Sequence, residues 1–260
     1  MCYVLSVILD PARRLSYIIR SVKKLPAWRD DRVFRASITG NIYRIEFLGL
    51  EGIGKSFFNN KLTQTLGEKA LKPEGVREQT DDYEAAFARV LRLQLDKSLP
   101  ATESRTVRLS WLRNFMQVME LDEFVSRNRI PNMFTSSSGL VHWTRTAMMD
   151  LVREEPETVK TVMSGRLTVY CSSNEPGRRS TQGLVKRGSV ASDQLNEAVI
   201  SRRNNEDQAL GDLASSFETL GLPVVRLNLD LPFQKNLFTL CGQLEKVGVN
   251  SGRISRLLGR

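Results

Sequence analysis

Ile42–Ser56 reads IYRIEFLGLEGIGKS, and the interpretation of this stretch decides the fold. An apolar run reaches Leu48 and breaks into Gly49-Leu50-Glu51-Gly52-Ile53-Gly54-Lys55-Ser56, which fits the pattern G-x-x-x-x-G-K-[ST]. Glycines in such an octet let backbone N–H groups curl around a polyphosphate without Cβ clashes. In that geometry Gly49, Glu51, Gly52, Gly54, Lys55 and Ser56 form the cradle. Lys55 reaches the β- and γ-phosphates, Ser56 binds Mg²⁺, and the next helix points its positive end at the anion. The flanks agree. A strand-like run precedes the loop, and Phe58, Leu62 and Leu66 follow at helical spacing, with Gly67 placed as a stop.

Outward from this loop, strand-like and helical patterns alternate. Strands are expected within Ile130–Ser137, at Arg166–Cys171 (RLTVYC) and at Pro223–Leu229 (PVVRLNL). Helices are expected over Tyr83–Leu95, over Val107–Val125, from Gly139 to about Val152, from Ser192 to about Leu220 and over Phe233–Leu244. Residues 68–82, with Pro73 and Gly75, read as a loop, and Ser172–Gly188 as a Gly/Ser/Arg-rich segment. Alternation of this kind implies βαβ units: an α/β fold whose parallel β-sheet is flanked by helices on both faces.

The flanking segments differ from this core. Residues 1–40 form a basic extension in which Asp10-Pro11 starts a helix carrying Leu15, Ile18, Ile19 and Val22 on one side. Such a helix either packs on the core with a solvated basic face or contacts an anionic membrane surface through residues 1–24. Residues 41–245 form the main domain, and 246–260 a basic tail.

Composition sets further bounds. The chain has 260 residues, 41% of them hydrophobic and 26% charged, without a run long enough to span a membrane. A cytoplasmic location is expected, with membrane association through residues 1–24 left open. Cys2, Cys171 and Cys241 are too scattered for a disulfide framework or a zinc site. His142 is the only histidine, which leaves little room for histidine-based triads or metal clusters. The net charge of +9 favours an anionic ligand. Nucleic acid is disfavoured, because no recognition motif or aromatic stacking platform accompanies the charge.

IYRIEFLGLEGIGKS resembles the opening of thymidylate-kinase-like P-loop kinases, and RLTVYCSSNEPGRRSTQGLVKRG resembles that family's strand followed by an arginine-rich lid. The resemblance covers about residues 41–245 and is weakest between about 68 and 160. It implies a P-loop kinase-like fold that uses ATP and Mg²⁺ to phosphorylate a small-molecule acceptor: a nucleotide, a nucleoside or a sugar-like compound. By position, Lys55 and the lid residues Arg179 and Arg187 act on the transferring phosphoryl group, with Arg202 and Arg203 as contributors from the next helix. Arginine suits the role because its fork binds phosphate oxygens bidentately and stabilises spread charge. Arg145 falls where a substrate-binding arginine could lie. Arg178 and Lys186 read as surface residues.

One departure stands out. Such kinases end a central strand in an acidic residue, whereas the matching segment here is Phe134-Thr135-Ser136-Ser137-Ser138-Gly139. Serine is no base near neutral pH without an activating partner. Glu51, Asp81, Asp82, Asp122 and Glu123 are the other carboxylates considered for the role. The alternative reading is a catalytically degenerate P-loop protein that binds ATP as a sensor or scaffold. A nucleic-acid-dependent NTPase is a weaker third, because the strand-terminal Asp expected of one is absent, with Asp230 the nearest candidate.

Overall fold

Arg44–Leu48 is buried at every position, as a strand must be when helices cover both faces of a parallel sheet. The computed structural model describes residues 44–66, 81–98, 113, 134–136, 139–191 and 196–247. The basic extension, the helix expected over Val107–Val125 (Arg113 apart), Asp122, Glu123 and residues 248–260 of the C-terminal tail lie outside the described residues.

Four strands, β1 (Arg44–Leu48), β2 (Phe134–Ser136), β3 (Arg166–Ser172) and β4 (Val224–Asn228), form a parallel sheet in the order β2-β1-β3-β4. Each falls on a stretch expected to be a strand. The described helices are α1 (Lys55–Leu66), α2 (Asp81–Ser98), α3 (Leu140–Glu154), α4 (Pro156–Met163), α5 (Pro176–Lys186), α6 (Glu197–Thr219) and α7 (Phe233–Lys246). Side chains alternate across β1. Ile45 and Phe47 pack with Leu167, Val169, Val225 and Leu227 against Phe58 and Leu62 of α1 and Leu237, Leu240 and Leu244 of α7. On the other face Leu48, Tyr170 and Val224 meet residues of α2, α3, α4 and α6.

Two elements differ from the sequence reading. The expected Gly/Ser/Arg-rich segment contains a regular helix, α5, started by Pro176. Its glycines serve close packing: a Cβ on Gly177 would fall 2.3 Å from the Ile200 carbonyl oxygen of α6. Helix α4 was not anticipated; Pro156 opens it, and Val159, Val162 and Met163 bury one side within its eight residues. At α6 the described helix begins at Glu197, and the side chain of Asn196 caps it by accepting from the Val199 N–H at 3.0 Å.

A buried charge cluster lies within the sheet. Glu46 is 1% exposed and pairs with Arg166 from β3 and with Arg44 at 3.4 Å. It also accepts from the Val141 N–H at 3.2 Å, at the start of α3. Burial opposes ionisation of this carboxyl, but the two guanidiniums and the backbone N–H groups outweigh it and hold its pKa below the usual range. A Cβ on Gly139 would lie 2.4 Å from the Glu46 carboxyl carbon, so glycine is required where β2 hands over to α3.

Candidate functional site

Strand β1 ends at Leu48, and Lys55 opens α1, so Gly49–Gly54 crosses the C-terminal edge of the sheet. Gly52 and Gly54 have φ of 84° and 118°, a region that side-chain-bearing residues avoid. The ammonium of Lys55 turns back across the loop and donates to the carbonyls of Gly49 at 2.6 Å and Leu50 at 2.7 Å. An ammonium has three donors, so one remains for a ligand. Lys55 is 5% exposed, and burial, reinforced by Arg145 and Arg187 and opposed by Glu51, pushes its pKa down to about 8. Helix α1 has no acidic residue in its first turn to offset its own positive end. The loop therefore holds a desolvated cation beside a helix N-terminus, an arrangement that an anion would satisfy.

Helix α5 packs on this loop. Ser180 donates to the Glu51 carbonyl at 2.5 Å, and Arg179 Nε donates to the Ile53 carbonyl at 3.0 Å. Another nitrogen of Arg179 pairs with Asp230, whose second oxygen accepts from the Asn174 N–H at 2.6 Å. A Cβ on Gly183 would fall 2.0 Å from the Gly52 carbonyl oxygen, so helix and loop touch backbone to backbone. Arg179, expected to close on the phosphoryl group, here donates to the Ile53 carbonyl and pairs with Asp230. Arg187, at the C-terminal end of α5, is exposed and acts electrostatically on Lys55. Arg178 is a surface residue, as expected, near Glu175 and Glu197.

On the other side of the loop, α3 contributes His142 and Arg145 one turn apart. His142 Nε2 lies 3.8 Å from Glu51, and its ring packs edge-on against Trp143. Burial, with the charges of Lys55 and Arg145, pushes its pKa down to about 3, so the imidazole is neutral. Arg145 pairs with Glu206 of α6 at 2.6 Å. Glu51, Arg145, Arg202, Arg203 and Glu206 line a cavity of about 520 Å³ between α3, α6 and the loop.

Asp207 is a residue that sequence reasoning missed. It is 6% exposed on α6, and its Oδ2 accepts from Tyr170 at 2.9 Å and from Ser172 at 2.6 Å, both on β3. Its Oδ1 is buried without a hydrogen-bond partner. Burial raises its pKa against the hydrogen bonds from Ser172 and Tyr170. No local pattern marks it; only the crossing of α6 over β3 brings it to the loop. His142 carried a weak signal, its helical spacing from Arg145.

The other acids are disposed differently. Ser136 ends β2, while Ser137 and Ser138 lie outside the described residues. Asp81 and Asp82 begin α2. Among the described residues, no group of three or more His, Cys, Asp or Glu is placed to hold a metal by itself. Ser56, at the start of α1, supplies a hydroxyl of the kind that coordinates Mg²⁺ beside a phosphate.

No protein-family model, curated protein or solved structure matches the chain. Among the described residues, no helix is long and apolar enough to cross a membrane.

Proposed function

We propose that the chain is a thymidylate-kinase-like P-loop kinase, transferring the γ-phosphoryl group of ATP to a small-molecule acceptor. One observation carries the reading: the buried Lys55 ammonium, tied across Gly49 and Leu50 with a donor to spare at the mouth of α1. A cation so desolvated suits a polyphosphate, and the loop's backbone N–H groups and the helix end add to the attraction. Ser56 is the residue that would hold Mg²⁺, which when bound would neutralise part of the polyphosphate's negative charge. Arg187 contributes positive charge from α5. The acceptor's place is the cavity beside Glu51, whose arginines Arg145, Arg202 and Arg203 favour an acceptor bearing phosphate or carboxylate. A nucleotide fits that description better than an uncharged nucleoside or sugar.

The test is transfer of radiolabelled γ-phosphate from ATP·Mg²⁺ to a panel of nucleotides, nucleosides and sugars, with Lys55→Met as control. A product whose formation falls at least about a hundredfold in the variant supports the reading. Absence of Lys55-dependent product with every acceptor overturns it. A second reading, an ATP-binding sensor without turnover, is favoured by the serine that ends β2 and by the engagement of Arg179 with Asp230. ATP binding without transfer to any acceptor would select it.

A further inference from the structure

The described carboxylates near the loop are mostly occupied. Glu46 is locked between Arg166 and Arg44, Asp230 is held by Arg179 and the Asn174 N–H, and Glu206 pairs with Arg145 and Arg203. Glu51 is exposed and faces His142 at 3.8 Å. Asp207 is different. It is buried, one of its oxygens has no hydrogen-bond partner, and the other takes the Ser172 hydroxyl proton at 2.6 Å. Ser172 Oγ also lies 3.5 Å from the Ser173 carbonyl, but the shorter contact claims its single proton.

The location also fits. Tyr170 pairs with Leu48 in the sheet, so Ser172 stands just beyond, level with the start of the loop. A Cβ on Gly49 would fall 2.3 Å from the Cys171 carbonyl oxygen, which shows how closely β3 and the loop run there. Ser172 is half-buried, whereas Asp207 is enclosed behind it. Arg203, Asp207 and Leu210 share one stripe of α6, and Arg203 and Leu210 line the cavity beside Glu51. The groups that act on Asp207 are Tyr170, Cys171 and Ser172 from β3, Lys55 from α1 and Glu206 on its own helix.

From this geometry we infer that Ser172 and Asp207 form the proton-accepting pair for the phosphoryl acceptor, replacing the acidic residue absent from the end of β2. The inference rests on the kinase reading above. The acceptor oxygen forms its bond to the γ-phosphorus as the bond to the β,γ-bridging oxygen breaks, and ADP leaves with that electron pair. The proton on the attacking acceptor oxygen, a hydroxyl or a monoprotonated phosphate, passes to Ser172 Oγ while the proton of Ser172 passes to Asp207 Oδ2. Passage of the Asp207 proton back to Ser172, as Ser172 releases one proton to solvent, resets the pair after product leaves. Ser172 is the group that meets the acceptor; Asp207 is a positioning residue that acts through it, and Tyr170 holds the carboxylate in place. A carboxylate whose proton affinity is raised by burial is suited to such a role.

The experiment compares the full-length chain with D207N, S172A and the double variant. ATP affinity is measured by calorimetry. The transfer rate is followed across pH 5–9, with water as acceptor and with the acceptor panel. D207N and S172A should each lower kcat about a hundredfold while leaving ATP affinity within about threefold. D207N should also remove the acid limb of the pH profile, and the double variant should be no slower than either single one. S172A alters a half-buried side chain and serves as the test should D207N fail to fold. The inference is overturned if folded D207N or S172A keeps its rate and its acid limb, or if Glu51→Gln removes them instead. If the wild-type chain binds ATP but transfers to nothing, the kinase reading fails and the relay falls with it. A wild type that transfers beside unaffected variants overturns the relay alone.

Discussion

Replacing Lys55 by methionine should change stability in a way that depends on pH with a defined sign. The lysine's pKa falls from 10.5 in the open chain to about 8 in the folded one, so folding weakens its hold on a proton. At about 1.4 kcal/mol for each tenfold in proton affinity, the charged form costs the fold about 3 kcal/mol at pH 7. The unfolded chain binds more protons between pH 8 and 10.5, so wild-type stability gains that amount as pH rises through this window and nothing from this group below it. Methionine fills similar volume without charge but loses the hydrogen bonds to Gly49 and Leu50, about 1 kcal/mol each. The variant should therefore be about 1 kcal/mol more stable than wild type at pH 7 and about 2 kcal/mol less stable at pH 10.5. Urea denaturation of the ligand-free proteins, followed by circular dichroism at several pH values, reads the difference directly. Titration of other groups cancels in the comparison. A difference that stays flat from pH 7 to 10.5 would refute the claim that Lys55 is a desolvated cation.

Other perturbations test other parts of the site. Glu46→Gln removes the carboxylate shared by the buried Arg44 and Arg166, and should destabilise the fold by about 3–5 kcal/mol in chemical denaturation. An effect below about 1 kcal/mol would contradict the buried cluster. Gly183→Ala drives a Cβ into the Gly52 carbonyl, and should cost about 1–3 kcal/mol of packing, partly offset by better helix propensity. The same variant should weaken ATP binding by moving the loop; unchanged stability and affinity would show that α5 does not brace it. Chelation of Mg²⁺ by EDTA should reduce phosphoryl transfer to background and added Mg²⁺ should restore it, whereas chelator-resistant transfer would remove Ser56 from its assigned role.

The sheet was legible because β1, β3 and β4 are rich in apolar residues and bounded by turn residues, and because an octet fitting G-x-x-x-x-G-K-[ST] announces the strand-to-helix crossing at Leu48–Lys55. Strand order was not legible, since it depends on which edges meet after long crossovers. The glycines of α5 disguised a helix as an irregular segment. Gly177 and Gly183 are there because α6 and the loop come within contact of the helix backbone, which is a tertiary requirement without a local pattern. Helix α4 escaped notice because, at eight residues, it offers barely two turns of periodicity. Of the site, Lys55 and its loop were written in one contiguous motif. Arg145 was picked by position and does border the cavity, while Arg179 donates to the Ile53 carbonyl of the loop. Asp207 could not be read ahead, because its significance comes from Tyr170 and Ser172, more than thirty residues earlier in the chain.

Calorimetric titration of the full-length chain with ATP·Mg²⁺, beside Lys55→Met, tests most directly whether Gly49–Ser56 is a phosphate cradle. Saturable one-to-one binding by wild type, weakened at least about a hundredfold in the variant, is the predicted result. Absence of binding by the wild type, or equal affinity in the two proteins, would contradict it.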